Sequence, residues 1–166
     1  MRKQILKTTP TTDAIGSATP GAPRDTLDIA AIATVLVTSE STGNPIENAF
    51  DGRGGPSGTR WIADAPGEQT LILAFDRPQT IRSVGIEVEE PSEVRTQELH
   101  LSVSRDGGIS YRDVLRQEFN FAPPGTSFER EEWTLGEREV THFRLRIKPD
   151  KGDRVCRACL TTLFLR

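Results

Sequence analysis

The chain has 166 residues, which is enough for one domain with a sizeable core, and its formal net charge is only −3. This near balance of charge gives no electrostatic reason to expect a nucleic-acid partner, and no apolar run approaches the roughly 18 residues of a membrane span. With two cysteines the chain has too few for a disulfide framework.

The first 28 residues differ in composition from the rest of the chain. They are rich in Thr, Ala, Gly, Pro and Ser and show no apolar periodicity of helix or strand. Because such a segment cannot bury enough apolar surface to offset its ordering entropy, we predict a disordered, flexible arm over residues 1–28 and one folded domain over residues 29–166. The start is basic but lacks the apolar core of a secretory signal, so we expect a cytoplasmic protein.

From Ile32 onward, apolar and polar residues alternate in short runs. A period of two indicates strands that are buried on one face. Turn-forming residues separate the runs, and only Pro45 to Phe50 suggests a helical turn. Many short strands and almost no helix predict an all-β, antiparallel β-sandwich. The runs are Leu71–Phe75, Val84–Val88, Leu99–Val103, Phe143–Ile147 and Leu160–Leu165.

Three segments of the chain carry a family resemblance. The first, Asn44–Trp61, has a short apolar turn, then Asp51 and a glycine-rich loop that closes on Thr59 and Trp61. The second is Ser102–Val114 and the third is Thr141–Ile147. In this order and spacing they resemble the discoidin family (coagulation factor 5/8 type C domains, within the galactose-binding-like jelly rolls). The resemblance extends over roughly residues 32–165 and implies a jelly roll that binds ligands with loops at one end.

The loop from Phe50 to Trp61 is a candidate cation site. Asp51 and the Thr59 hydroxyl could supply oxygens together with loop carbonyls, and calcium takes roughly six to eight oxygen ligands. In discoidin-like carbohydrate-binding modules the matching loop often holds calcium, and a glutamate near the end of the last strand completes the shell. Thr162 stands at that place here, so we expect the calcium site to be incomplete and the protein to need no cofactor.

The positions that hold sugar in the family are altered in this chain. Galactose-binding members carry a histidine and an aromatic after the tryptophan, an arginine at the end of the third strand and an aromatic before the last strand. The matching residues here are Ile62, Ala65, Glu89 or Glu90, and Arg157. The resemblance therefore implies the fold and does not extend to galactose specificity.

Two polar loops, Glu89–Gln97 and Lys151–Arg157, are the candidate ligand-binding end. The Glu89–Gln97 segment is dense in hydrogen-bonding groups, and loops on a rigid sandwich usually carry the binding function. Arg95 and Arg154 are the first candidates, because a guanidinium can fork onto a carboxylate or a pair of sugar hydroxyls. Glu90 and Lys151 are the second pair of candidates, and solvation of the loops by both arginines is the alternative interpretation.

Charged residues alternate with apolar ones in two of the strand patterns. Arg144, Arg146 and Lys148 share one face of their strand, and Glu87 and Glu89 share one face of theirs. If these strands are neighbours, the charges would pair across the solvated face of the sheet. A solvated ladder is the favoured interpretation, and a binding stripe is the alternative.

The pair Cys156 and Cys159 is half of a zinc site at most. The remaining ligands would come from His100 and His142 or from a second chain, and both histidines lie in strand patterns. A thioredoxin-like motif precedes a helix, whereas this one leads into a strand. We therefore predict two thiols at a strand entrance, with one packed inward.

No catalytic motif is found in the sequence. It has no nucleophile elbow, no His-Glu-x-x-His and no phosphate-binding glycine loop, so we do not expect an enzyme. We predict a non-catalytic ligand-binding module with a glycan ligand by resemblance, and a protein-interaction or assembly domain without a sugar ligand is the alternative. Exposed aromatics in the end loops would favour sugar, and an exposed apolar patch would favour a protein partner.

Overall fold

The computed structural model of the protein describes residues 1–6 and 25–166, and strands dominate this part of the chain. One short α-helix, α1 (Ile29–Ile32), and one 3-10 turn (Ile46–Phe50) are present among these residues. None of the described helices has the length and apolar character needed to cross a membrane. The strands are β1 (Arg2–Ile5), β2 (Ala33–Val37), β3 (Trp61–Ile62), β4 (Gln69–Glu89), β5 (Arg95–Ser104), β6 (Arg112–Phe121), β7 (Phe128–Lys148), β8 (Cys159–Leu160) and β9 (Thr162–Leu165).

Two long strands, β4 and β7, connect the two layers of the sandwich. They pair antiparallel, and the register shifts between Ala74 and Ser83 of β4. Before this break β4 pairs with β2 and with the second half of β7, and after it β4 pairs with the first half of β7 and with β9. The first layer has the order β1-β2-β4-β7-β5-β6, and β9 joins β4 in the second. The predicted jelly-roll β-sandwich is confirmed.

The core lies between the two layers and is formed by the inward residues of the alternating runs. Leu71 and Leu73 of β4 and Leu99 and Leu101 of β5 are fully or almost fully buried. Trp61 is only 1% exposed, and its indole Nε1 donates a hydrogen bond to the Ser39 carbonyl at 3.0 Å. Burying large apolar side chains of this kind stabilises a fold by roughly 1.5–3 kcal/mol each.

The structure corrects part of the predicted N-terminal arm. Residues Arg2–Ile5 form β1, which pairs in parallel with β2, whereas every other strand pairing in the described residues is antiparallel. Lys3 forms ion pairs with Glu40 at 2.6 Å and Glu47 at 2.9 Å, which hold β1 in place. The N–H of Leu27 also donates to the Leu165 carbonyl at 2.8 Å. Residues 7–24 of the predicted arm lie outside the described residues.

Candidate functional site

Two loops meet at one end of the sandwich, and we call them the end loops: residues 90–94, between β4 and β5, and residues 149–158, between β7 and β8. Backbone hydrogen bonds attach the longer one to its neighbours. The N–H of Lys151 donates to the Thr96 carbonyl at 2.8 Å, and the N–H of Gly67 donates to the Cys156 carbonyl at 3.1 Å. The end loops are therefore fixed to the rigid part of the fold.

Arg95 lies beneath the end loops and not on their surface. Its side chain is 2% exposed, and one guanidinium nitrogen donates to the carbonyls of Pro149 at 3.1 Å and Arg157 at 2.8 Å. The other nitrogen lies 2.7 Å from a carboxylate oxygen of Glu90. The prediction of Arg95 as a ligand-binding residue is corrected, because all of these partners are internal and join the two end loops.

Glu90 is buried beside Arg95. Its Oε1 accepts hydrogen bonds from the N–H groups of Ser92 and Glu93, both at 3.0 Å, and from the Ser92 hydroxyl at 3.0 Å. Burial alone would raise the pKa of Glu90, but these donors and the Arg95 guanidinium outweigh burial and lower the pKa. The prediction of Glu90 as a ligand residue is corrected for the same reason as Arg95, since its oxygens are occupied within the fold.

The two cysteines pack against the same buried guanidinium. Cys159 Sγ lies 3.1 Å from Nη2 of Arg95, and Cys156 Sγ lies 3.6 Å from Nη1. Both thiols are free and buried, and burial raises the pKa of Cys159 to about 11 in spite of the opposing charge of Arg95. Both thiols are therefore inward-facing packing groups, and a thiol held protonated in this way is a poor nucleophile.

The other two predicted ligand residues, Arg154 and Lys151, are at the surface. The Arg154 side chain is 57% exposed, its Nε donates to Asp150 Oδ2 at 3.1 Å and its Nη2 contacts the Val94 carbonyl. The Arg154 guanidinium lowers the pKa of Asp150 to about 2, against an opposing effect of burial. The exposed ammonium of Lys151 forms an ion pair with Glu118. Of the four predicted ligand residues, these two alone face solvent.

The surface of the end loops carries charge and small apolar groups. Neither loop contains an aromatic residue, and Val94 and Val155 are 60% and 89% exposed. At the positions that match the family's sugar-binding residues, Ile62 is half-buried and the side chains of Ala65 and Arg157 are exposed. Stacking of a sugar ring on an aromatic platform is therefore excluded at these loops.

A third loop, the glycine loop of residues 51–60, closes over two carboxylates of β4. The N–H of Gly55 donates to Glu87 at 2.8 Å, and the N–H of Ser57 donates to Glu89 at 2.9 Å. Arg60 also pairs with Glu89 at 2.8 Å. The predicted charge ladder between these glutamates and Arg144–Lys148 is wrong, because the second half of β4 pairs with the first half of β7. Sequence patterning cannot detect a distant loop that folds over a strand face.

The two candidate calcium ligands of the glycine loop, Asp51 and Thr59, are engaged in hydrogen bonds within the loop. The oxygens of Asp51 accept hydrogen bonds from the Arg53 N–H at 2.8 Å and from the Thr59 hydroxyl at 2.7 Å. The loop turns N–H donors toward the glutamates of β4, whereas a hard cation needs converging oxygens. A Cβ at Gly54 would overlap Thr162 Oγ1 and Glu87 Oε2, so loop and strands are in close contact. Among residues 1–6 and 25–166, no cluster of three or more His, Cys, Asp or Glu side chains could hold a metal.

The chain is similar in structure to several carbohydrate-binding modules. One is the CpGH89 CBM32-5 module of Clostridium perfringens, in complex with GalNAc-β-1,3-galactose: 19% identity, 85% of this chain and 99% of that chain covered, TM-score 0.59. A second is the CBM32 of AlyQ in complex with 4,5-unsaturated mannuronic acid: 20% identity, 85% and 97% covered, TM-score 0.60. A third is the family 32 module of C. perfringens NanJ with galactose: 16% identity, 84% and 96% covered, TM-score 0.58.

Of the two sequence comparisons, the search of curated proteins finds no match to the chain. The comparison with family models agrees with the structural similarity. The family model of the F5/8 type C domain matches residues 32–160, which is most of the chain and all of the segments that carry the resemblance. At identities of 14–20% the solved structures show the fold alone. The chain belongs to the F5/8 type C domain family.

Proposed function

We propose that this chain is a non-catalytic carbohydrate-binding module that holds its glycan with the end loops. The family match and the sugar complexes of three structural relatives support the ligand class. A rigid sandwich that carries surface loops is the arrangement on which such binding usually depends.

The observation that carries the proposal is the distribution of charge on the 149–158 loop. Lys151, Arg154 and Arg157 all extend into solvent from a loop whose backbone is fixed by buried contacts. Because the loop is already ordered, binding at these side chains costs little additional conformational entropy. Exposed guanidinium groups bind carboxylates by bidentate, charge-assisted hydrogen bonds, so acidic sugars are the proposed ligand class.

Neutral galactose is a poor ligand in this proposal. The residues at the galactose-binding positions are Ile62, Ala65 and Arg157, together with Glu89 or Glu90. Glu89 is paired with Arg60, and Glu90 is buried, so neither carboxylate is free to accept sugar hydroxyls. Without an aromatic platform, most of the affinity has to come from charge.

A protein partner is the second candidate function, and one observation favours it. Val94 and Val155 expose apolar side chains on neighbouring end loops, and Arg154 contacts the Val94 carbonyl between them. Exposed apolar groups that cluster beside a charge are common at protein interfaces. This alternative predicts that substitution of the valines weakens binding and that no sugar competes.

The test is a glycan-array screen of the purified chain, followed by titration with the acidic and neutral sugars that bind. We expect acidic glycans to bind and Arg154→Ala to weaken them by about tenfold, as loss of one charge-assisted hydrogen bond implies. Arg138→Ala is the matched control, because Arg138 is an exposed arginine of β7, outside the end loops. Binding of no glycan on the array, together with capture of a protein partner that Val155→Ser abolishes, would overturn the proposal.

A further inference from the structure

The outer face of the first layer carries two neighbouring depressions that no part of the proposed end-loop site uses. One has a volume of about 650 Å³ and is lined by residues that include His100, Arg146 and Lys148. The other has a volume of about 420 Å³ and is lined by residues that include Ile72, Tyr111 and His142. Side chains of a strand alternate between its faces, and His142 and Arg146 are four positions apart on β7, so both depressions open on one face.

Arg144 lies on β7 between His142 and Arg146, and it is fixed in place by neutral groups. Its guanidinium carbon lies 3.8 Å from the centre of the Tyr111 ring, and its Nε donates to the Ser102 hydroxyl at 3.0 Å. Both side chains of this stacked pair are half-buried. Stacking on an aromatic ring holds the guanidinium plane in one orientation and leaves its outer nitrogens free to donate.

Arg146 is the second half-buried guanidinium of this face. It contacts Nδ1 of His100, which leaves its charge without a carboxylate partner. Throughout the described part of the chain, no carboxylate lies within 4 Å of either Arg144 or Arg146, although fifteen other pairs meet that distance. Neither guanidinium therefore has a direct counter-charge, and an anion that binds here would supply one.

Acidic side chains are also present on this face: Glu68, Glu98 and Glu118 line the larger depression, and Asp113 is aligned with Ser102 and Arg144. Glu118, Glu98 and Lys148 are aligned across β6, β5 and β7, in one row. The adjacent row aligns Arg116, His100 and Arg146. Glu98 lies 3.9 Å from Lys148, and Glu118 pairs with Lys151, so these carboxylates are partly neutralised. Asp113 pairs with His100 at 2.9 Å and with Arg116 at 3.3 Å. Arg144 and Arg146 are therefore the basic groups of this face that have no direct carboxylate partner, and an anion would bind at these two residues.

We propose that Arg144 and Arg146 form a second binding site, on the sheet face, for the carboxylate or sulfate of an acidic carbohydrate chain. The depressions on either side would take the flanking sugar units. Leu36, Ile72 and Tyr111 offer apolar surface for the face of a sugar ring, while Thr34 and Gln117 offer hydrogen bonds to hydroxyls. This mixed lining suits a carbohydrate better than an extended peptide, whose backbone would need a strand edge.

This site is separate from the end loops and shares with the proposed function only the ligand class. The three basic residues on this face of β7 therefore have different roles. Lys148 belongs to a solvated ladder with Glu98 and Asp153, whereas Arg144 and Arg146 do not. Occupation of both sites by one long chain, or by two chains, would raise the apparent affinity for polymeric ligands above that for short ones.

The test is calorimetric titration of the full chain with three tetrasaccharides: a galacturonate, a sulfated sugar and neutral galactose. Arg144→Gln/Arg146→Gln is the test variant, and Arg138→Gln/Arg82→Gln removes the same charge from exposed positions elsewhere. We expect at least one acidic tetrasaccharide to bind wild type, the test variant to lose about tenfold or more in affinity and the control about twofold or less. The galacturonate and sulfate arms identify which anionic group is bound.

A lysine variant, Arg144→Lys/Arg146→Lys, keeps the positive charge but loses the planar, bidentate geometry of the guanidinium. It tests the binding site if the glutamine variant does not fold. A loss of several-fold affinity in the lysine variant supports the site. Equal affinity of wild type and both variants for every acidic sugar overturns it, as does preferential binding of a polyglutamate peptide, which would indicate an acidic protein partner. A loss confined to Arg154→Gln overturns this inference and leaves the end-loop proposal intact.

Discussion

The guanidinium of Arg95 lies 2.7 Å from the carboxylate of Glu90, and the two side chains are only 2% and 9% exposed. This ion pair connects the start of β5 to the 90–94 loop. Through the carbonyls of Pro149 and Arg157 the same guanidinium also holds both ends of the 149–158 loop. One buried arginine therefore holds in place the loop that carries Arg154 and Lys151.

Removal of Arg95 should destabilise the whole domain. Arg95→Ala leaves the buried carboxylate of Glu90 unpaired, and breaking a buried pair in this way costs about 3–5 kcal/mol. Urea unfolding followed by tryptophan fluorescence measures this loss. Lys151→Ala is the control: its ion pair with Glu118 is exposed on both sides, so we expect a much smaller loss than for Arg95→Ala. Equal losses of unfolding free energy in the two variants would show that Arg95 does not stabilise the end loops.

Asp150 should give the domain a stability that depends on acid pH. Its pKa is lowered to about 2 in the folded state, chiefly by Arg154, and lies near 3.9 in an unfolded chain, by the usual value for Asp. A lowered folded pKa contributes stability that is complete above about pH 4 and is lost as the pH falls through about 2. Asp150→Asn should therefore be less stable than wild type at pH 7, and the difference should shrink between pH 4 and pH 2. A difference that stays constant over this range would contradict the assignment.

The two cysteines should resist thiol reagents in the folded protein. Both are buried, and the raised pKa of Cys159 leaves almost none of it as thiolate at pH 8. We expect labelling by iodoacetamide to be slow in buffer and fast in urea above the unfolding midpoint, as measured by mass spectrometry. Rapid labelling of either thiol in native buffer would show that the 149–158 loop opens readily, and single Cys→Ser variants would identify which thiol reacts.

Calcium should have little effect on stability. Because the oxygens of Asp51 are already occupied and Thr162 replaces the family's glutamate, any site is weak, and stabilisation depends on ligand concentration relative to the dissociation constant. Millimolar calcium should shift the melting temperature by about a degree or less, and a chelator should also shift it by about a degree or less. Glu87→Gln should lower the melting temperature more than removal of calcium does, since Glu87 pairs with Arg130 at 3.2 Å and binds the glycine loop. A large rise with calcium that Asp51→Ala abolishes would contradict this.

The fold was accessible from the sequence because alternation is a local property. The runs around Leu71, Val84, Leu99 and Phe143 have a period of two, and all four lie in strands. The runs around Leu71 and Val84, which sequence patterning separates by a turn, are two parts of the one long strand β4. Strand β1 has four residues and only one apolar side chain, Ile5, so its pairing with β2 leaves almost no pattern to detect. A parallel pairing at a sheet edge depends on tertiary contacts such as those of Lys3.

The binding residues were harder to predict because burial depends on neighbouring loops. One overlooked signal was local: Arg95 and Gln97 continue the inward series of Leu99 and Leu101 at a period of two, which places the arginine on the core face of β5. The free charges of Arg144 and Arg146 could not be predicted in the same way. Whether an arginine has a carboxylate partner depends on which strands are neighbours, and two basic residues on one strand do not reveal this.

The central claim, that the end loops bind an acidic glycan, is tested most directly by mapping amide chemical shifts during titration with the best ligand from the array. We predict saturable shifts in residues 92–94 and 151–157, strong with an acidic sugar and weak with galactose, and their loss in Arg154→Ala with the rest of the spectrum unchanged. Shifts on the face of Arg144 and Arg146 would report the second site independently. An acidic glycan that binds without moving any amide of the end loops, or galactose that binds tightly and is indifferent to Arg154→Ala, would contradict the claim.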